Sequence, residues 1–571
     1  MSRKSVLTVL FLTGITFFTA LGAGAQTHLS VPIGDAAYHL LEVGELSGSI
    51  TRLYYPEPKP KSMVNAYLEE MLLSRERFSR YEVTLARHYY SRFNDLEYGL
   101  LRHGNLEYND KKDVSLVVGL DLLMNYRINT ANPDAWHMHN QLRAYMMGDL
   151  GKRVSYMGAF GGLFDRLSPE AYPPYQFTNP GDIYYTGVDY GESEGAFGDP
   201  AFSAMLQMDI TGRFFSEDVL TVRFAKTHRD LGIGEGSLLL SETARPFIGM
   251  DIIFHPADWL YITQVMGSLG NYFEENKARY DENAVSHQKM FAAQKIHGHI
   301  TDWYYLSVAY SAIWPKRFEL GYMVPLVIPI FTQLMYGDVD NLLMEIEMGF
   351  VVPPVGKFYA SLLIDEARLI FDPVYWFTAP RQMFAFQLGY KTKVPKLPLT
   401  TFTFQYTRIE PFTYAHYPIE YSLSRNPIDM SYTHDGENLA YYLQPNSDEF
   451  LFRLQSMPIK NFLTSLSYKL IRHGTNEGWE DGDLAIYGDI DEYMNYSQLN
   501  NYPDKDFLND GIYDYNHVIG LKGSYSFEKV PITVGLEYIF SHTHWAANDS
   551  GVTPPDPKIR NILSFTVEVY R

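Results

Sequence analysis

Carboxylates and aromatic rings alternate along the stretch from Gly474 to Tyr515, which holds eleven Asp and Glu residues but a single Lys or Arg, Lys505. A sugar ring has an apolar face that stacks on aromatic side chains, and its hydroxyl groups donate hydrogen bonds to carboxylates. A shorter stretch, 182–199, has the same composition. We therefore predict a carbohydrate-binding surface, whose candidate residues are Trp479, Asp481, Tyr487, Tyr493 and Tyr513 in the first stretch and Tyr184, Tyr185 and Tyr190 in the second.

Other interpretations of these acidic stretches stay open. The carboxylates could keep a long loop soluble, or their hard oxygen atoms could hold Ca²⁺ that bridges to an acidic glycan. A glycosidase would need one pair of carboxylates at a defined separation, and no spacing in the sequence singles out such a pair. We therefore expect no enzymatic activity, no catalytic residues and, apart from Ca²⁺ in the acidic loops, no cofactor.

Three glycines, Gly232, Gly234 and Gly236, flank Ile233 and Glu235 in a segment that no strand–helix unit follows. A dinucleotide site would need that unit. Glycines permit unusual backbone angles where a loop folds back into the mouth of a larger structure. We predict that Gly232, Gly234, Glu235 and Gly236 belong to a loop that constricts a pore.

Three His-x-His pairs each place two imidazoles on one face of an extended strand. A metal site needs further ligands beyond such a pair, so we expect girdle or pore-lining positions and no bound metal. The pairs are His137 and His139, His297 and His299, and His542 and His544.

The chain as a whole is acidic, rich in tyrosine and free of cysteine. Its net charge of −20 argues against nucleic acid as a partner. The absence of Cys excludes disulfides, thiolate zinc sites and a lipid-modified N-terminal cysteine. Residues 1–25 have the basic start, the apolar run and the Ala23-Gly24-Ala25 cleavage pattern of a secretory signal peptide. We expect the mature chain to begin at Gln26.

From about residue 107 to residue 571 the sequence has the period of two that a pleated strand imposes. Apolar and polar residues alternate throughout Leu563–Val569, for example, although Trp259–Leu269 alternates poorly. Short turns such as Pro256–Asp258 alternate along the chain with long polar connections such as 270–288. This pattern predicts an all-β transmembrane β-barrel of about 18 antiparallel strands with short periplasmic turns and long extracellular loops.

Residues 26–106 differ, because their apolar residues recur at helical spacing. Asp35–Leu46 has this pattern, and Ser62 suits the N-cap of a further helix over Met63–Glu76. We predict a small α-helical module on the periplasmic side of the barrel.

Four stretches, taken in order, resemble the Wzi family of capsule-assembly outer-membrane proteins, in a divergent form of the kind found in Bacteroidetes. They are Val31–Tyr38, the glycine-rich Leu231–Ser241 with Ala244–Phe247, Asp340-Asn341 with Leu363–Glu366, and Glu410–Tyr414 with Asn446–Asp448. The resemblance implies an outer-membrane barrel of about 18 strands with a periplasmic helical bundle.

The resemblance also implies a lectin that attaches secreted capsular or exopolysaccharide to the cell surface. Its expected partners are that polysaccharide, outer-membrane lipid and the barrel-assembly machinery. A substrate-selective porin or a polysaccharide export channel on the same barrel is the alternative that the sequence leaves open.

Overall fold

A computed structural model describes most of the chain. It covers residues 28–94, 116–176, 201–215, 219–270, 289–315, 317–325, 327, 329–336, 340–367, 373–416, 428, 430–434, 437–474, 505, 507–508, 512–527, 530–547 and 553–569. Within these ranges, one antiparallel sheet of 18 strands closes on itself, because the first strand pairs with the last. The prediction of an all-β transmembrane barrel of about 18 strands is confirmed.

Each strand pairs with its neighbours in sequence, and Leu122 of the first strand lies opposite Val569 of the last. The strands are β1 Val117–Asn129, β2 Trp136–Leu150, β3 Val154–Arg166, β4 Ala201–Phe214, β5 Leu220–Thr227, β6 Phe247–Ala257, β7 Leu260–Leu269, β8 Lys289–Thr301, β9 Tyr304–Pro315, β10 Asn341–Val352, β11 Gly356–Glu366, β12 Met383–Lys393, β13 Thr400–Ile409, β14 Ser447–Ile459, β15 Phe462–Gly474, β16 Ile512–Ser526, β17 Ile532–Ala547 and β18 Lys558–Val569.

Successive side chains of each strand point alternately to the outside and to the lumen of the barrel, and the two faces differ in polarity. Outward-facing apolar side chains are left bare, as in Phe160, 65% exposed, and Leu536, 62% exposed. Their inward-facing neighbours are largely polar. A sheet with an apolar exterior and a polar interior is suited to hydrocarbon outside and water or polar groups inside. Among the described helices, none has the length and apolar character needed to cross a membrane.

Apolar and polar residues alternate poorly in β7 because protein covers both faces of this strand towards the long-loop end. Two short helices, α4 (Leu320–Met323) and α5 (Pro329–Tyr336), follow β9 and lie against the outer wall. The outward-facing Gln264 of β7 donates a hydrogen bond to the Tyr322 carbonyl at 3.2 Å. A polar residue on the outside of β7 is therefore paired with protein instead of facing lipid.

Within residues 28–94, three α-helices precede the barrel: α1 (Ala36–Leu46), α2 (Lys61–Leu73) and α3 (Arg80–Asn94). The Asp35 side chain caps α1 by accepting a hydrogen bond from the Ala37 amide at 2.8 Å. The expectation that Ser62 caps α2 is wrong, because the helix already begins after Pro60 and Ser62 is inside it. The Ser62 hydroxyl instead contacts the imidazole of His28 at 3.0 Å.

Residues 28–94, called the helical module below, dock into the end of the barrel that carries the short turns. Contacts to several turns between neighbouring strands hold the module. Arg52 donates to Asp302 at 3.0 Å, His39 contacts the Leu399 carbonyl at 2.7 Å, and Tyr81 donates to the Pro458 carbonyl at 2.7 Å. The opposite end of the barrel carries the long connections.

Candidate functional site in the barrel lumen

Residues 228–246, between β5 and β6, form an inward loop that crosses the lumen to the opposite wall. The Glu235 amide donates to the side-chain oxygen of Gln405 at 2.8 Å, and its carboxylate lies 2.7 Å from the Lys391 ammonium. Arg453 contacts the second oxygen of the same carboxylate. The inward loop is therefore clamped to β12, β13 and β14 through one charged residue.

Two of the glycines are required by close packing and by backbone angle. A Cβ added at Gly234 would lie 2.6 Å from the Gln405 side-chain oxygen and 2.7 Å from the Tyr359 ring. Gly236 has a φ of +89°, which other residues rarely adopt. The structure places Gly232, Gly234, Glu235 and Gly236 together inside the lumen, and their effect on conduction stays a prediction.

The Lys391 ammonium also contacts Glu42 of α1, so one cation joins the inward loop to the helical module. Burial raises the pKa of Glu42, but the neighbouring Lys391 and His39 lower it by more, so the net shift is downward. The pKa of Glu235 is likewise raised by burial and lowered by more through Arg453 and Lys391. Both carboxylates are therefore ionised, and Lys391 balances both of them.

A second joint between the module and the inward loop is made of backbone. The Glu57 amide donates to the Asp230 carbonyl at 2.7 Å, and the Asp230 amide returns a bond to Glu57 at 2.9 Å. Burial and the nearby Glu242 carboxylate raise the pKa of Asp230 to about 8. Burial also raises the pKa of Glu57 and of Glu242. The joint therefore brings three carboxyl groups together in an environment that disfavours their charge.

A second inward segment, seen in residues 410–416, 428, 430–434 and 437–446, packs on the first. Leu239 of the inward loop and Tyr432 of this segment are both fully buried in one apolar cluster. The Tyr414 hydroxyl donates to the Leu238 carbonyl at 2.8 Å, and the Ser241 amide donates to the Leu439 carbonyl at 2.9 Å. The long-loop end of the lumen thus has an apolar core of its own.

Most of the candidate glycan-binding residues lie outside the described part of the chain, so their role stays a prediction. These are Trp479, Asp481, Tyr487, Tyr493, Tyr184, Tyr185 and Tyr190. Tyr513 is described and belongs to β16, which begins at Ile512, inside the acidic stretch from Gly474 to Tyr515. It lies on the outward face with Tyr515, whose ring stacks on His544 at 5.0 Å. Tyr513 therefore has a girdle position at the long-loop end.

The His-x-His pairs lie in three different surroundings. The imidazoles of His297 and His299 are 3.1 Å apart in the buried lumen, and His139 lies 2.8 Å from Asp165. His542 and His544 stack on the outward face of β17. Across the described ranges, no group of three or more His, Cys, Asp or Glu is placed to hold a metal ion.

Comparison with known proteins is limited to structure, because no family model and no curated relative matches the sequence. One solved structure is Wzi, an outer-membrane protein involved in group 1 capsule assembly in Escherichia coli and described as a carbohydrate-binding β-barrel. It is 11% identical, with a TM-score of 0.55 over 95% of this chain and 99% of that chain. The chain has a Wzi-like fold.

Two other solved structures align less well with this Wzi-like barrel. OpdK of Pseudomonas aeruginosa with vanillate is 9% identical, with a TM-score of 0.40 over 80% of this chain and 98% of its own. OccAB2 of Acinetobacter baumannii is 8% identical, with a TM-score of 0.40 over 80% and 97%.

Sequence reasoning finds the glycine-rich loop of the Wzi-like barrel but misses the residues that hold it. Lys391 and Arg453 occupy ordinary inward positions in strands, where polar residues are expected. Only the pairing of β12, β13 and β14 brings them to Glu235. Their one sequence signal is a charge at an inward-facing position of the alternating pattern.

Proposed function

We propose that this protein is an outer-membrane barrel that binds secreted capsular or exopolysaccharide and holds it at the cell surface. The helical module is periplasmic and the long loops are extracellular in this proposal. Outer-membrane lipid surrounds the barrel, and the barrel-assembly machinery inserts it. Support comes from the likeness to a carbohydrate-binding barrel over 95% of the chain.

One observation favours the acidic loop between β15 and β16 as the binding surface. Lys505, the only Lys or Arg between Gly474 and Tyr515, is fully buried and lies 3.0 Å from Glu410. Its amide donates to the Thr378 carbonyl at 2.6 Å. Because this cation is used to anchor the loop to the rim, it does not neutralise the carboxylates that precede it. Those carboxylates and the rings of Trp479, Tyr487 and Tyr493 then offer the chemistry that sugars need.

A loop-deleted chain tests this function. Removing 477–503 keeps the Lys505 anchor and removes the candidate aromatic residues, so we expect polysaccharide binding in a pull-down to be lost. In cells that lack the wild-type gene, this variant should shed polysaccharide into the medium instead of retaining it. Undiminished binding would exclude this loop, and polysaccharide accumulating inside the cells would favour the export channel.

A matched control uses the same loop with its aromatic residues intact. Replacing Asp481 and Asp483 with Asn keeps one acceptor oxygen at each position but removes two charges. We expect this variant to bind acidic polysaccharide more weakly only if Ca²⁺ bridges the loop carboxylates and the polysaccharide. Added chelator should then abolish binding to the wild-type chain.

A further inference from the structure

The lumen is filled unevenly. The helical module and the inward loops cover the inward face of β3–β14, and Leu29 of the module also packs against β1 and β2. Inward side chains in the short-turn half of β15–β18 and in the middle of β1 remain in contact with solvent. Lys522 and Glu568 are exposed although both face inward. The side chains of Arg127 and Glu537 are still 18% and 22% exposed. Solvent therefore reaches well into the barrel along this wall.

The solvated part of this wall is hydrophilic, and the buried apolar side chains of Val518, Ile539 and Ile562 lie beyond it, towards the long-loop end. One row of directly opposed residues crosses it on the inward face: Ser465, Lys522, Glu537, Ser564, Arg127 and His137. Arg127 and Glu537 form an ion pair at 3.1 Å. A Cβ added at Gly535 would meet only Thr566, at 3.4 Å or more. Small and charged side chains thus line a space that water can occupy.

The solvated wall ends beneath the segment Ser168–Gln176, which follows β3. The Arg127 guanidinium lies 4.4 Å from the centre of the Tyr172 ring, and the centres of the His137 and Tyr172 rings are 5.1 Å apart in an edge-to-face arrangement. Arg560 donates to the Tyr172 carbonyl at 2.9 Å. Tyr172 is therefore fixed over the buried His137 and the partly solvated Arg127.

The other end of the same segment reaches the filled half of the lumen. Tyr175 packs against the apolar cluster of the inward loops. Its hydroxyl donates to Asp514, and its ring lies 5.0 Å from His473. The segment therefore spans the gap between the polar wall and the filled half.

We propose that the short-turn half of β15–β18 and the middle of β1 bound a hydrated path for small inorganic ions into the barrel, and that Tyr172 and Tyr175 seal it towards the long-loop end. The positive side chain of Lys522 faces this path and favours anions in it. The inference concerns ion conduction and does not depend on polysaccharide binding.

Cysteine accessibility tests the path without opening it. The chain contains no Cys, so Lys522→Cys introduces a single thiol. A charged, membrane-impermeant thiol reagent should modify it in the purified full-length barrel at least about tenfold faster than a thiol from Thr407→Cys, because thiol reactivity follows exposure. Thr407 faces the filled half of the lumen and is fully buried. Equal rates at the two positions would overturn the proposal.

Planar-bilayer conductance tests the seal. The wild-type barrel should stay closed in potassium chloride, and the Tyr172→Ser/Tyr175→Ser variant should show steady conductance. Adding Lys522→Glu to that variant should shift the reversal potential towards cation selectivity. Lys396→Glu, in the exposed turn between β12 and β13, is the matched charge reversal and should leave the reversal potential unchanged.

Each result decides between the proposal and its rejection. If the folded double variant does not conduct, the proposal is wrong. If it conducts but Lys522→Glu does not change its ion selectivity, the path does not pass Lys522. Folding is checked by the heat-dependent gel migration of the barrel, and if the double variant does not fold, the cysteine rates decide alone. Polysaccharide pull-down by the same variants reports on the proposed binding function separately.

Discussion

At the scale of single residues, Lys391 has the largest consequences because it balances two carboxylates on different elements. Glu42 belongs to the helical module and Glu235 to the inward loop. Removing one partner from a buried ion pair leaves an uncompensated charge, which costs more than the pair itself contributes. The two elements that fill the lumen therefore share one stabilising charge.

Lys391→Met should lower the free energy of unfolding by roughly 3 kcal/mol, the low end for a broken buried ion pair, because the partly exposed Glu42 loses its cation and Glu235 keeps only Arg453. Guanidinium unfolding in detergent measures this, and limited proteolysis should show earlier cleavage of the helical module. Lys396→Met removes an exposed lysine from the adjacent turn and should change neither result. Equal stability of the two variants would show that Lys391 does not join the module to the loop.

The joint at Asp230 should make stability depend on pH. Its pKa is raised to about 8, so between about pH 4 and about pH 8 the folded state holds a proton that the unfolded state has lost. The contribution of this group therefore falls by about 1.4 kcal/mol per pH unit as the pH rises through that window.

We expect wild-type stability to fall more between about pH 6 and about pH 9 than that of Asp230→Asn. Equilibrium unfolding at the two pH values measures the difference. Glu57 and Glu242 have raised pKa values too and contribute with the same sign in both proteins. Parallel pH profiles for the two proteins would contradict the assignment to Asp230.

The residue scale is also where the sequence is least informative. Glu235 is visible because unusual glycines surround it. Lys391, Arg453 and Lys522 have no such marker, since a charged residue at an inward position looks alike whether it pairs, faces water or binds a ligand. Their roles depend on the register between strands that are distant in the sequence.

At the scale of elements, the strands follow from the sequence almost completely, because alternation and turn spacing report directly on a sheet between lipid and water. The departures occur where other protein covers the outer wall. β7 loses its alternation under α4 and Tyr322, and β16 begins at Ile512 inside a stretch read as loop. Local composition does not reveal such packing, because its partners are far away in sequence.

The short helix α5 should lie in the outer part of the membrane. Leu334 and Met335 are 71% and 81% exposed on the outside of the barrel, beside the lipid-facing band. A polarity-sensitive fluorophore on Leu334→Cys should report an apolar environment in liposomes and be quenched by nitroxide-labelled lipid. The same fluorophore on Lys396→Cys, in the exposed short turn, is the aqueous control. Equal emission from both would contradict the placement of α5 in lipid.

Deleting the inward loop, residues 229–245, should create conductance through the half of the lumen that it fills. Loss of Glu235 leaves Lys391 and Arg453 without a carboxylate they share, so the new conductance should favour anions. Planar-bilayer recording measures both properties. An unchanged, closed barrel would show that this loop does not constrict the pore.

At the scale of the whole molecule, the bare apolar exterior decides how the protein can be handled. Side chains such as Phe160 and Leu536 ring the barrel and have no protein partner layer over them. The purified mature chain should therefore remain monodisperse in detergent and aggregate when detergent is removed. Size-exclusion chromatography with light scattering measures this, and a monodisperse protein in plain buffer would refute the membrane assignment.

The last strand, β18, closes the barrel because it pairs with both β17 and β1. Without this strand, β1 and β17 would each present a row of unpaired amides and carbonyls, and each such group costs several kcal/mol in hydrocarbon. Deleting this strand would convert a closed barrel into an open sheet with two unpaired edges. The cost in backbone hydrogen bonds would therefore be far larger than the strand's share of the chain length suggests.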